Sequence, residues 1–136
     1  MAKAGITLQV DRVPNDGYWD NVWMKKPFTG SYWGGRPTAD LMFALVYKSD
    51  APWNETFWKR PKFDQLLLDA RKEPDTAKRK QMYREMQVMI HEDGGEVIPM
   101  FHAYLDGAVK KVRGFPVSPV FQMGAFRAIK SIWLDA

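Results

Sequence analysis

The chain has 136 residues, 46% hydrophobic and 14% aromatic, so it can bury one domain-sized core and does not have the composition of a disordered polymer. It has no cysteine, which excludes disulfides, thiol chemistry and thiolate metal sites. The net charge of +4 is a mild excess, not the concentrated basic stripe of a nucleic-acid binder, and no apolar run reaches the ~20 residues needed to span a membrane.

Lys3-Ala4-Gly5 reads as the end of a helix with a glycine stop. Met1 directly before such an end points to a piece of a longer protein, and the opening residues contain no apolar export segment. Ile6, Leu8, Val10 and, less strictly, Val13 alternate as in a strand. Pro14-Asn15-Asp16-Gly17 is turn chemistry that can cap a helix. Tyr18, Trp19, Val22 and Trp23 form one face of a helix predicted over 18–26, which Pro27 ends. Residues 28–33 read as a second strand. The order strand, helix, strand predicts a parallel pair with a crossover helix, and such sheets bind ligands beyond the carboxyl ends of their strands. Residues 33–36 fall at that end.

The stretch from Tyr32 to Asp40 therefore holds the candidate ligand-binding residues Tyr32, Trp33, Gly34, Gly35, Arg36 and Asp40. Gly34 and Gly35 permit positive φ and let another group approach the main chain. Pro37 stiffens the turn. Arg36 offers a planar fork of donors suited to a carboxylate. On the residues alone two readings stand, a small polar site with an aromatic wall and a plain loop with Trp33 in the core.

Leu41 to Tyr47 is apolar and fits a short helix or an extended piece, and residues 48–54 read as an irregular loop. Pro61 suits a first helical position, and Phe63, Leu66, Leu67 and Ala70 follow at helical spacing. Glu73-Pro74 breaks that helix, and Asp75 caps the next. Ala77, Tyr83, Met86, Val88, Met89 and Ile90 make its buried face, with Lys78, Arg79, Lys80, Arg84 and Glu85 outside. Gly94-Gly95 stops it. Residues 97–101 read as an apolar strand in which Pro99 argues for an edge or crossing point. Residues 104–112 continue extended or as a loop, 114–119 form a turn-rich connection, and 126–134 read as a final strand.

No catalytic arrangement emerges. His91 and His102 cannot form an HExxH pair, and no Ser/His/Asp set declares itself. Glu92-Asp93-Gly94-Gly95 lacks the alternation of oxygen ligands in a calcium loop, and Asp64 and Asp69 fall near opposite sides of a helix. The expectation is a non-enzyme with no metal and no cofactor. The basic run at Lys78-Arg79-Lys80 with Arg84 reads as the wet face of a helix. The rival is a small basic, aromatic-rich module for nucleic acid or protein.

The order Trp33, Phe63-Asp64-Gln65-Leu66-Leu67, Ala70, Asp75, Lys78-Arg79, Tyr83, Gln87, Ile90, Glu92-Asp93 and Ile98-Pro99-Met100 resembles the C-terminal part of the family 5 extracellular solute-binding proteins. These are the oligopeptide, dipeptide and nickel receptors of bacterial ABC importers. The resemblance implies an α/β fold, part of a two-lobed periplasmic binding protein-like clamp. Residues 1–101 would be the latter part of the second ligand-binding lobe, 102–136 a C-terminal tail belonging to the first lobe, and the strand near Ile98 a hinge crossing. It implies capture of a peptide or related small solute, a membrane permease as partner through the full-length protein, no nucleic acid, and a periplasmic or extracellular location. A piece cut from such a clamp is expected to self-associate or swap elements. In the peptide-binding members an Asp shortly after the Trp takes the ligand's amino group. The matching position here holds Arg36, which suits a carboxylate-bearing solute instead. Asp40, later in the same loop, supplies a carboxylate if the register slips.

Overall fold

The computed structural model describes residues 2–118 and 121–135. Met1 and the end of the turn-rich connection at Pro119 lie outside the described residues, as do Val120 and Ala136. The chain divides into two compact units, Met1–Tyr32 and Trp33–Ala136.

The first unit holds a single 3-10 turn at Ala2–Ala4, ended by Gly5 at φ 72°, and one short α-helix, α1 (Tyr18–Asn21), which buries none of its residues. The helix expected to reach residue 26 continues only as irregular turns, with Met24 at φ 56°. Gly17 at its N-cap supplies no side-chain cap, and a helix this short gains little without packing against another element. What organises the unit is aromatic. The Trp19 ring meets Tyr18, Trp23 and Tyr32 edge-on, with centroids 5.5, 5.5 and 5.6 Å apart. The Tyr18 hydroxyl donates to the Gly30 carbonyl.

The strands expected at 6–13 and 28–33 are not formed, so neither is the parallel pair. Alternation describes a face but does not supply a partner, and Ile6, Leu8, Val10, Val13 and Phe28 remain exposed. Among the described residues the one ladder is antiparallel, with β1 (Val112–Arg113) pairing β2 (Trp133–Leu134).

The second unit has a helical core. Helix α2 (Ala39–Met42) begins at Thr38, whose hydroxyl accepts from the Leu41 N–H, and passes into a wide turn over Phe43–Tyr47. The turn closes with the Lys48 N–H on the Phe43 carbonyl, 2.9 Å, which is the five-residue step of a π-helix. Its extra width directs Phe43, Val46 and Tyr47 inward together. Helix α3 (Pro61–Lys72) starts on Pro61 and buries Phe63, Leu67 and Ala70, the i, i+4, i+7 stripe of an amphipathic helix. Helix α4 (Thr76–Asp93) is capped by Asp75, whose carboxylate accepts from the N–H groups of Ala77 and Lys78 at 2.8 and 3.0 Å. Only Met86 on α4 is fully buried; Tyr83, Met89 and Ile90 pack against the core from its edge. The core is Phe43, Val46, Tyr47, Trp58, Phe63, Leu67, Ala70 and Met86.

After α4 the chain turns at Gly95, with φ 78°, close to Thr56. Any other residue there would be strained, and its Cβ would press on the Thr56 Cβ at 3.2 Å. Residues 97–101, expected to be a strand, are unpaired, with Val97, Ile98, Met100 and Phe101 exposed. Pro99 has no N–H for a ladder. The final strand expected over 126–134 shrinks to Trp133–Leu134. Met123, Gly124, Ala125 and Phe126 instead make a left-handed turn with φ between 54° and 62°. A left-handed conformation costs roughly 1–2 kcal/mol at each non-glycine residue.

Candidate functional site

Trp33 is the first residue of the second unit, and its surroundings come from its own loop and from the stretch 53–55. Its indole N–H donates to Glu55 Oε1 at 2.7 Å. Its ring lies 5.7 Å from that of Trp53, tilted by 47°. The Arg36 guanidinium sits over the ring, 5.9 Å from its centroid. Trp33 is half-buried and packs on the margin of the core. The indole N–H edge meets the Glu55 carboxylate and the ring face meets Arg36.

The loop carrying Trp53 and Glu55 is fixed by Asn54, the one buried polar residue among those described. Its amide donates to the carbonyls of Lys48 (3.2 Å) and Trp58 (2.6 Å). Its amide oxygen accepts from the Trp58 N–H (3.1 Å) and the Thr56 hydroxyl (3.4 Å). A side chain that spans its own loop in this way replaces the missing secondary structure. Sequence reasoning read 48–54 as irregular and missed this. An Asn between two aromatic-flanked positions, in a stretch without period, was the available signal.

Arg36 is also held from below. One terminal nitrogen donates to the Gly34 carbonyl at 2.8 Å. No carboxylate among the described residues pairs with Arg36, whereas Arg60, Arg71 and Arg113 each have one. The two glycines do not act as expected. Neither adopts positive φ, and the space beside Gly34 is flanked by Phe121 and Arg36. A Cβ at Gly34 would meet both at ordinary contact distance, so their approach does not depend on the glycine.

Asp40 does not join this site. Its carboxylate is gripped by Arg71 Nε and Nη2, both at 2.8 Å, and by the Tyr83 hydroxyl, also at 2.8 Å. The pair with Arg71 holds the Asp40 carboxyl below its ordinary range, despite partial burial. Burial, then the bond to Asp40, pushes Tyr83 up to about 12. Asp40 thus ties α2 to α3 and α4, and Arg36 is the cation over the Trp33 ring. Tyr32 falls in the first unit, exposed, with its ring on Trp19.

A second carboxylate lies near Glu55. Glu96 Oε2 accepts from the Tyr47 hydroxyl at 2.6 Å, while its Oε1 is buried with no hydrogen-bond partner. Burial pushes the Glu96 carboxyl above its ordinary value and the negative charge of Glu55 adds to this, although the Tyr47 bond opposes both. Burial and the same two carboxylates push the Tyr47 phenol far up. Because the folded state holds the Glu96 proton more tightly than the unfolded state, its favourable contribution is complete below the ordinary carboxylate value. It is lost as pH rises through the folded pKa. Glu96→Gln keeps an acceptor for Tyr47 and removes the repulsion. It is expected to raise the thermal midpoint at pH 7 by about 3 °C and to have a smaller effect at pH 4. Thermal melts at the two pH values check this, and an equal shift at both would contradict it.

The remaining candidates have local roles. Asp64 accepts from the Ser49 N–H, and Asp69 from Gln65. Asp93 accepts from Trp58 and Arg60. Arg79 donates to the Glu73 carbonyl, while Lys78, Lys80 and Arg84 are exposed. His91 and His102 are exposed. Among the described residues no group of three or more His, Cys, Asp or Glu could hold a metal, and no helix is long and apolar enough to cross a membrane. Comparison with family models, curated proteins and solved structures gave no match for this chain.

Proposed function

We propose that this chain is part of a solute-binding receptor of a bacterial ABC importer, of the family 5 kind, and that its site captures a peptide or related small solute through a carboxylate. The supporting observation is Arg36. Its guanidinium is stacked on Trp33 and anchored to the Gly34 carbonyl, yet no carboxylate among the described residues pairs with it. Nη1 alone makes the bonds to the backbone, to the carbonyls of Gly34 and, at 3.5 Å, Gly35, which leaves the other donors of a rigid fork for a carboxylate. Trp33 and Trp53 form the aromatic wall. The ordered motifs from Phe63 to Met100 support the family reading, and with it the two-lobed α/β clamp, the exported location and the permease as partner. Capture is by closure around the solute, without catalysis. The exposed apolar residues of 6–13 and 97–101 are then surfaces covered in the complete clamp.

The test is titration of the full-length protein with a carboxylate solute and its primary amide, in the natural form and as Arg36→Ala. A hydrogen-bonded charge pair contributes about 1.5–3 kcal/mol, so Arg36→Ala is expected to weaken acid binding by roughly tenfold to a hundredfold and to leave the amide unchanged. Equal affinity of both proteins for the acid would contradict the proposal.

A further inference from the structure

We infer that Phe121 forms the second wall of the Trp33–Arg36 site, and that the site therefore selects carboxylates bearing an aromatic or flat apolar group. This rests on the carboxylate reading of Arg36 given above. A Cβ placed on Gly34 would lie 3.4 Å from Phe121 Cε1 and 3.7 Å from Arg36 Nη1. One point beside the Gly34 backbone thus has the edge of an aromatic ring and a guanidinium nitrogen as its neighbours. A solute whose carboxylate meets Arg36 brings its next atoms against that ring.

Core packing does not account for Phe121. It is half-buried and lies outside the buried cluster of the second unit, as do Tyr104 and Phe126. The three rings form a cluster of their own. Phe121 stacks on Phe126 with centroids 5.2 Å apart and planes 26° apart, and it leans on Tyr104 at 6.1 Å. Phe126 remains 63% exposed. The stack is produced by the left-handed turn that follows Phe121. The Ala125 N–H donates back to the Phe121 carbonyl, and the Met123 N–H is held by Asp106 Oδ2 at 2.9 Å. A sustained positive-φ turn at Met123, Ala125 and Phe126 is costly for residues with side chains, and such cost is typical of ligand clamps. What the turn achieves is to bring two rings face to face beside a guanidinium that no carboxylate among the described residues pairs with. Aromatic stacking then favours a flat group on the solute.

The experiment is calorimetric titration of the full-length protein with phenylacetate, acetate and phenylacetamide. The natural form is compared with Arg36→Ala, Phe121→Ala and Phe121→Leu, and each variant is checked by far-UV circular dichroism. The natural form is expected to bind phenylacetate about tenfold tighter than acetate, and phenylacetamide weakly. Phe121→Ala is expected to abolish the preference for phenylacetate over acetate without changing acetate binding. Phe121→Leu keeps apolar bulk and is expected to retain part of that preference. If Arg36→Ala weakens both acids but Phe121→Ala keeps the preference intact, the role of Phe121 is overturned and that of Arg36 stands. If Phe121→Ala does not fold, full preference in Phe121→Leu overturns it. If Arg36→Ala changes neither acid, or no acid binds below about 10 mM, the carboxylate reading falls and this inference with it.

Discussion

Asn54→Leu is expected to destabilise the second unit by about 3 kcal/mol and to disorder the loop that carries Trp53 and Glu55. The Asn54 side chain fills a buried position and satisfies the N–H and C=O of Trp58 and the C=O of Lys48. Leucine matches its bulk approximately but supplies neither donor nor acceptor, so the Trp58 N–H and C=O lose the Asn54 side chain, while the Lys48 carbonyl keeps only the Ala51 N–H. A buried backbone group left unpaired costs far more than the net value of the bond it had. The effect extends beyond stability, because Glu55 holds the Trp33 indole and Trp53 walls it. Denaturant melts of Asn54→Leu and Asn54→Asp check the origin of the loss. Asn54→Asp keeps the acceptor for Trp58 and loses the donors, so it is expected to fall between the other two. A Leu variant as stable as the natural protein would show that the loop is held by something else.

Phe63→Ala is expected to cost about 3–5 kcal/mol, a large share of the stability of a unit this size. The Phe63 side chain is fully buried. Its ring meets Phe43 at 5.4 Å and Trp58 at 5.0 Å, both edge-on, so it joins the wide turn after α2 to the end of the Asn54 loop. Truncation leaves a ring-sized void between elements that cannot collapse independently, since Pro61 fixes the start of α3 and Leu67 and Ala70 fix its face. Phe63→Leu, which keeps most of the volume, is expected to lose about half as much. Comparison of the two variants by thermal melting checks the claim, and a Phe63→Ala midpoint unchanged from the natural protein would contradict the assigned core.

The two long helices were legible because their signals are local. Pro61 with Phe63, Leu67 and Ala70, and Asp75 followed by a long run of good helix formers, specify helices with little help from the rest of the chain. Alternation at Ile6, Leu8 and Val10 specified a face, but strands need partners, and none is provided among the described residues. The candidate site was legible only in its nucleus. Trp33, Gly34 and Arg36 lie within four residues of one another, so the sequence alone can propose them together. Glu55, Glu96 and Phe121 are brought in by tertiary structure from 22, 63 and 88 residues beyond Trp33, distances over which no residue pattern carries information. Asp40 shows the same limit in reverse. Its position near Arg36 in sequence suggested a shared pocket, whereas Arg71 and Tyr83, 31 and 43 residues away, claim it for helix packing.

The carboxylate-capturing role of Arg36 is tested most directly by denaturing the purified full-length protein and identifying any released solute by mass spectrometry, for the natural form and for Arg36→Ala. The prediction is a small solute bearing a free acidic group, recovered from the natural protein and absent from the variant. Recovery of the same solute in equal amount from both, or of a solute with no acidic group, would contradict it.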